Sequence, residues 1–135
     1  MPMMEWSDKL SVKISVFDGE HKKLILLINK LADAMSQGQG HQALDDILIE
    51  LVDYTKYHFS HEEESMQKYN YPDFASHKLM HEDFVSKVGE TKDKYEKGII
   101  SLSVSTLNYL TSWVQNHIMK TDANYTDFFT KAGLK

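Results

Sequence analysis

Four side chains that commonly bind metals occur along the chain as two pairs with helical spacing. His58 and Glu62 are four residues apart, and so are His77 and His81. Residues four apart lie on one face of an α-helix, one turn from each other, so both members of a pair can reach a common centre. Imidazole and carboxylate groups are ligands of transition metals. The spacing therefore predicts a metal site to which at least two helices contribute.

Three further donors extend this set. His21 opens the apolar stripe of one helical segment, and His117 continues the stripe of another. Asp122 follows His117 by five residues, which in a regular helix turns it about 140° away. The two residues share a face only if the helix widens or breaks between them, and local π-type distortions of this kind often occur at functional sites. The alternative for Asp122 is that it caps a short C-terminal helix.

The two remaining histidines are predicted to lie outside the site. His41 follows Gly40 in a polar turn and is expected to be solvated. His61 is one residue away from the stripe that carries His58 and Glu62. It is therefore expected at the surface or in a layer behind the metal ligands.

Composition excludes several classes of protein and of site. The 135 residues suit one compact domain, and the net charge of −5 with no basic cluster disfavours nucleic acid as a partner. The absence of cysteine excludes disulfides, zinc thiolate sites and iron–sulfur clusters. The longest apolar run, residues 24–28, is far shorter than the roughly 20 residues needed to cross a bilayer, so no membrane insertion is expected. Residues 1–10 lack a signal pattern, and a cytoplasmic location is predicted.

An extended N-terminal arm is predicted for residues 1–17. Its apolar residues alternate by two: Leu10, Val12, Ile14 and Val16. Alternation is typical of a strand, but no later segment offers a partner strand. The arm is therefore expected to lie across helices, with Trp6 as an anchor.

Four amphipathic segments follow the arm. They cover about residues 19–36, 41–68, 74–97 and 103–121, and residues 122–135 form a tail with a short helix. Asp18 and Asp73 are predicted to cap the first and third helices. Four helices joined by short turns fold most simply as an antiparallel up-down-up-down bundle. The predicted fold class is all-α, a four-helix bundle over about residues 18–121 within a single domain of residues 1–135.

The helical period assigns five histidines and Glu62 to the bundle interior, where polar groups are costly to bury. One buried histidine is more often a hydrogen-bonded core residue than a metal ligand, but several imidazoles and carboxylates that face one another need a bound partner. Zinc usually takes four ligands, whereas mixed nitrogen and oxygen donors in this number suit iron. If five imidazoles, two bridging carboxylates and one bridging oxygen serve two six-coordinate ions, one position stays open for a small ligand such as dioxygen.

The combined pattern closely resembles that of the hemerythrins. It reads His21, His58-Phe59-x-x-Glu62, His77-x-x-x-His81 and Trp113-x-x-x-His117-x-x-x-x-Asp122. The resemblance runs from Trp6 to Asp122, and the length is similar to that of single-domain bacteriohemerythrins. It implies reversible binding of molecular oxygen at a non-haem centre of two iron ions with an oxo or hydroxo bridge.

The resemblance also implies a division of the ligands between the two ions. His77, His81 and His117 are expected to ligate one iron. His21 and His58 are expected to ligate the other, which keeps a position free for oxygen. Glu62 and Asp122 are expected to bridge the pair.

Apolar neighbours of these ligands are candidates for the wall of an oxygen pocket. They are Leu24, Ile25, Phe59, Trp113, Val114 and Ile118. Each is more often plain core, but a dry wall is what an oxygen carrier needs, because excluding water and protons slows the loss of oxygen as peroxide.

Three alternatives remain open for the function. The first prediction is a carrier for oxygen transport, storage or delivery, for example to an oxygen-consuming enzyme, that acts as a monomer and is not an enzyme. A di-iron redox enzyme, such as a peroxidase, an oxidase or a protein that handles nitric oxide, is the second. Oxygen or redox sensing is the third, although sensors of this family are usually fused to signalling domains.

Overall fold

The computed structural model describes residues 4–134 and is all-helical within them. The α-helices are α1 (Ser15–Ser36), α2 (His41–Lys68), α3 (Phe74–Glu96), α4 (Val104–Asn116) and α5 (Thr126–Lys131). A 3₁₀ turn, Asp8–Leu10, precedes α1. A π-helical turn, His117–Thr121, and a 3₁₀ turn, Asp122–Tyr125, separate α4 from α5. The predicted fold class, a four-helix bundle with an N-terminal arm and a short C-terminal helix, is confirmed.

The second and third helices lie where their apolar periodicity predicts them. Helix α2 has the predicted bounds, and α3 ends one residue before the predicted Lys97. Helix α1 packs against α2 and α4, and α2 also packs against α3. The stripe of α2 is buried as expected at Ile47, Leu48, Leu51 and Thr55. Within residues 4–134, none of the helices combines the length and apolar character needed to cross a membrane.

The first helix begins earlier than predicted, and Asp18 is not its cap. Ile14 occupies the N-cap position of α1, so the arm ends at residue 14 and Asp18 lies in the first helical turn. The Asp18 carboxylate instead accepts hydrogen bonds from the Ser11 hydroxyl (2.6 Å) and the Val12 N–H (2.8 Å). Asp18 therefore ties the arm to α1 rather than starting the helix.

The arm lies against the bundle without forming a strand between residues 4 and 14. Leu10, Val12 and Ile14 are buried, as their alternation predicts, whereas Val16 belongs to α1 and is exposed. Trp6 is half-buried, and the Lys22 ammonium lies over its ring at 5.0 Å.

The cap predicted for α3 is also different in detail. Asp73 occupies the N-cap position, but its side chain makes no capping hydrogen bond. Its backbone carbonyl accepts from the Ser76 hydroxyl (3.0 Å) and from the His77 N–H (3.0 Å). Ser103, by contrast, caps α4 with its side chain, which accepts from the Thr106 N–H at 3.2 Å.

Replacing Asp18 with Ala should destabilise the fold, because two hydrogen bonds to a charged group are lost and the arm is released. We expect a loss of about 1–3 kcal/mol in the free energy of unfolding, measured by urea titration of metal-free protein. Asp33→Ala on the exposed face of the same helix is the matched control and should change stability by less than about 0.5 kcal/mol. Equal effects of the two substitutions would contradict a role for Asp18 in holding the arm.

Candidate metal centre

All seven predicted donors lie in the bundle interior, and each is no more than 6% exposed. Helix α1 carries one of them, α2 and α3 carry two each, and the π-helical turn with the residue after it carries the last two. In that order they are His21, His58, Glu62, His77, His81, His117 and Asp122. The structure therefore brings together every side chain that the sequence assigns to the site.

The seven donors form two overlapping groups, in each of which the donor atoms lie within 4.8 Å of one another. The three-histidine group contains His77, His81 and His117, and the two-histidine group contains His21 and His58. Glu62 and Asp122 belong to both groups. Two carboxylates shared by two sets of imidazoles are the arrangement that a pair of neighbouring metal ions would require.

Glu62 directs its two oxygens at different groups. Its Oε2 lies 3.3 Å from His21 Nε2 and 3.4 Å from His58 Nε2. Its Oε1 lies 3.4 Å from His81 Nε2. The Tyr125 hydroxyl donates a hydrogen bond to Oε2 at 2.5 Å, which fixes the orientation of the carboxylate.

Asp122 divides its oxygens in the same way. Its Oδ2 lies 3.1 Å from His21 Nε2, while its Oδ1 lies 2.9 Å from His77 Nε2 and 3.0 Å from His117 Nε2. The five-residue spacing to His117 is accommodated by the π-helical turn His117–Thr121, as the spacing predicts. The π-turn therefore brings Asp122 to the face of the bundle on which His117 lies.

The polar atoms that face the centre of this cluster lack hydrogen-bond partners. Among them are the Nε2 atoms of His21, His58 and His77, Oε1 of Glu62 and both carboxylate oxygens of Asp122. The Nε2 atoms of His81 and His117 point at each other, 2.9 Å apart. Buried polar groups are nearly always paired, so inward atoms without partners on so many residues fit a bound cation. Their nitrogen and oxygen donors suit iron.

Two carboxylates outside the seven donors contact histidines of the cluster, and the sequence analysis does not predict either contact. Glu20 Oε1 lies 2.6 Å from His58 Nδ1, and Glu63 Oε2 lies 2.8 Å from His81 Nδ1. A histidine that binds metal through one nitrogen usually donates the other N–H to such an acceptor. Glu20 shares the α1 stripe of Leu24, Leu27 and Leu31, so its place on a buried face was the available signal.

The predicted outliers lie outside the seven-donor cluster. His41 is exposed at the start of α2, where its ring stacks on Tyr95 at 4.3 Å. His61 is partly exposed behind the cluster, and its Nδ1 lies 2.6 Å from Glu20 Oε2. Of the two locations expected for His61, the layer behind the donors is the one found.

Mutual contacts shift the pKa values of the donors strongly. Burial alone would lower the pKa of His58, but the nearby charge of Glu62 and the hydrogen bond to Glu20 raise it to about 10. Burial opposes ionisation of Glu62, but the charge of His58 and contacts with neighbouring histidines hold its pKa well below the usual value. The pKa of Asp122 is likewise held low, against burial and the charge of Glu62, by His117. The carboxylates are therefore ionised, and imidazoles such as His58 hold protons that a metal must displace.

A small cavity of about 10 Å³ adjoins the cluster, close to the least space that holds one water-sized molecule. It borders both members of the two-histidine group as well as His117 and Asp122. Its other lining residues are Leu24, Thr55, Phe59, Phe84, Trp113, Val114 and Ile118. Five of the six predicted wall residues thus line it.

The sixth predicted wall residue does not line this cavity, and two residues outside the prediction do. Ile25 is buried in the core but does not line the cavity. Thr55 and Phe84 line it instead. Thr55 interrupts the apolar stripe of α2, and Phe84 stacks on Trp113 at 3.9 Å between ring centroids.

Known proteins are similar to this chain over nearly its whole length. A family model described as the hemerythrin HHE cation binding domain matches residues 12–128, which include all seven donors. The bacteriohemerythrin of Pseudomonas aeruginosa is 37% identical over 127 residues, covering 94% of this chain and 82% of its own. Myohemerythrin-1 of Phascolopsis gouldii is 33% identical, covering 89% of each chain. A crystal structure of wild-type hemerythrin superposes with a TM-score of 0.89 at 31% identity, covering 93% of this chain and 96% of that one.

Metal binding should weaken as pH falls, because imidazoles bind metal only when neutral. Contacts with carboxylates raise the pKa values of His21 and His81, and raise that of His58 to about 10, so protons compete with metal for these imidazoles as the pH falls. Between pH 6 and 8.5 we expect the affinity for Co²⁺ to rise roughly tenfold per pH unit for each proton displaced. Proton release on binding, followed with a pH indicator, measures the same linkage.

The control for this titration is His41→Gln, which removes an exposed histidine outside the cluster. It should leave the pH dependence of Co²⁺ affinity unchanged. An affinity in the wild-type chain that does not vary with pH would show that the histidines do not bind the metal.

Proposed function

The chain belongs to the hemerythrin family, and from this we propose that its seven buried donors hold two iron ions that bind molecular oxygen reversibly. When bound, iron would supply the reversible redox chemistry that oxygen binding needs. The residues of the chain supply the donors, their orientation and a dry cavity. The role is transport, storage or delivery of oxygen, including delivery to an oxygen-consuming enzyme.

The proposed division of ligands follows the two groups of donors. His77, His81 and His117 would hold one iron, and His21 and His58 would hold the other. Glu62 and Asp122 would bridge the two. The split of each carboxylate's oxygens between the three-histidine and two-histidine groups supports this assignment, since a bridging carboxylate offers one oxygen to each metal.

The observation that carries the proposal is the position of the cavity. It borders both histidines of the two-histidine group and one histidine, His117, of the three-histidine group, and the two-histidine group has one imidazole fewer. A ligand position on that side is the one a small molecule in the cavity would reach. At about 10 Å³ the cavity is small enough to favour a very small ligand over an organic substrate.

The cavity wall favours a carrier over a redox enzyme. Among residues 4–134, and apart from the proposed ligands, Thr55 is the one polar residue that lines it. The Thr55 hydroxyl donates its hydrogen bond to the Leu51 carbonyl at 2.7 Å, so its proton points away from a bound molecule. Reduction of oxygen to products requires protons, and an apolar wall withholds them.

All seven donors come from one chain, so the site needs no second copy to complete it. We therefore propose that the protein acts as a monomer, with residues 1–135 as a single functional domain.

The direct test is iron analysis followed by repeated oxygenation. Protein loaded with ferrous iron without air should hold two iron ions per chain. Its visible spectrum should change on exposure to oxygen and return under vacuum over several cycles. A spectrum that converts irreversibly to the ferric form in the first cycle would favour redox chemistry. Absence of a stoichiometric iron pair would refute the proposed centre.

Making the wall polar should shorten the life of the reversible state. Val114→Thr keeps the size and branching of a buried wall residue but adds a hydroxyl that can hold water or pass a proton. We expect irreversible conversion to the ferric form to accelerate on the order of fivefold, the effect of about 1 kcal/mol on a barrier. The rate is read from the decay of the oxygen-dependent spectrum in air.

The matched control is Val104→Thr, the same change at a position of α4 that is 66% exposed. It should convert at the wild-type rate. Equal rates in the two variants would mean that dryness of the wall does not protect the site.

A further inference from the structure

Glu20 is a buried carboxylate that belongs to neither donor group. It precedes His21 on α1 and is 7% exposed. Each of its oxygens contacts a different histidine of α2: Oε1 lies 2.6 Å from His58 Nδ1, and Oε2 lies 2.6 Å from His61 Nδ1. Distances this short to an ionised carboxylate are those of charge-assisted hydrogen bonds, so both Nδ1 atoms carry hydrogen and donate.

The contact with Glu20 determines which nitrogen of His58 is free. Because Nδ1 of a neutral His58 holds the hydrogen, Nε2 keeps its lone pair. That Nε2 faces the donor cluster, 3.4 Å from Glu62 Oε2 and without a hydrogen bond. The same contact places negative charge directly behind the ring.

His61 and Phe17 hold this arrangement in place. His61 lies one helical turn after His58, and its side chain is 32% exposed. The fully buried Phe17 ring meets both imidazoles edge-on, with centroids 6.3 Å from His58 and 5.3 Å from His61. Glu20 therefore has both oxygens occupied and little freedom to turn away from His58.

We propose that Glu20, held by His61, is a positioning residue for His58: it fixes the metal-binding tautomer of the imidazole beside the cavity and places negative charge behind its ring. This rests on the proposed function, since it concerns a residue behind a proposed iron ligand. Glu63 contacts His81 in the other group from a position that is 20% exposed. Glu20, the more buried of the two carboxylates, therefore lies behind the two-histidine group, both of whose histidines line the cavity.

Three substitutions separate positioning from simple bracing of two helices. Glu20→Ala removes the acceptor and the charge. Glu20→Gln keeps one acceptor oxygen for His58 and offers its amide N–H to His61. Because His61 is partly exposed, it can take the tautomer in which Nδ1 accepts that hydrogen bond. His61→Ala leaves Glu20 in place but frees Oε2. Glu50→Gln is the matched control, because Glu50 is about half exposed on α2 and pairs with Lys30 at 3.4 Å.

Two readouts follow these variants: Co²⁺ affinity of metal-free protein from visible absorption, and the reduction potential of the iron-loaded protein. Loss of a second-layer partner typically costs about 10–100-fold in metal affinity, and we expect that loss in Glu20→Ala. Glu20→Gln and His61→Ala should lose less, in the same direction. Glu20→Gln should raise the reduction potential, because the ferric state loses a nearby negative charge. A residue that only braced helices would not shift the potential.

The outcomes distinguish this inference from the proposed function. If the wild-type chain takes up no stoichiometric metal pair, both fail. If it does, and the Glu20 variants match Glu50→Gln in affinity and potential, only the positioning role fails. Should Glu20→Ala not fold, Glu20→Gln and His61→Ala decide, and wild-type values in both overturn the proposal.

Discussion

The constraint on which the rest of this structure depends is the burial of seven ionisable side chains in one small bundle. A domain of this size is stable by only about 5–15 kcal/mol, and a single unpaired buried charge costs several kcal/mol. The helices therefore position imidazoles against carboxylates. Glu62 and Asp122 each contact histidines of both groups, while Glu20 and Glu63 neutralise rings from behind. The inward nitrogens and oxygens that still lack partners are the atoms left for metal.

That requirement explains the π-helical turn that follows α4. A regular helix would direct Asp122 away from the interior when His117 points into it. The π-helical turn between them adds the rotation that brings both to the cluster. The chain after the turn then returns over the end of the bundle, where Tyr125 reaches Glu62 and Phe129 packs beside Phe17. The π-turn thus brings Asp122 to the cluster and also directs the following chain to where its aromatic residues pack on the core.

Sequence periodicity predicts the parts of the structure that depend on one helix at a time. The bounds of α2 and the inward faces of the five histidines and Glu62 follow from apolar stripes. The five-residue spacing indicates that Asp122 shares a face with His117 only if the helix widens or breaks between them. Contacts between elements are harder to predict. Asp18 is a residue type that often caps helices, but its hydrogen-bond partners belong to the arm. Glu20 lies on a buried stripe, yet only the packing of α1 against α2 shows that it reaches two histidines. Neighbouring positions on one stripe face different parts of the core. The stripes alone therefore do not show that Thr55 lines the cavity and that Ile25 does not.

The difference between carrying oxygen and consuming it lies in the surroundings of the donors more than in the donors themselves. Any pair of irons able to bind oxygen can also reduce it when protons and reductant arrive. Here the cavity is about 10 Å³, its far wall is aromatic and aliphatic, and the Thr55 hydroxyl in it is turned to a backbone carbonyl. The polar groups that serve the donors, Glu20 and Glu63, lie behind the imidazole rings instead. The carboxylates thus lie behind the imidazole rings, where they can orient them. The cavity side, on which oxygen would bind, has mainly apolar side chains, and polar groups there would promote reduction.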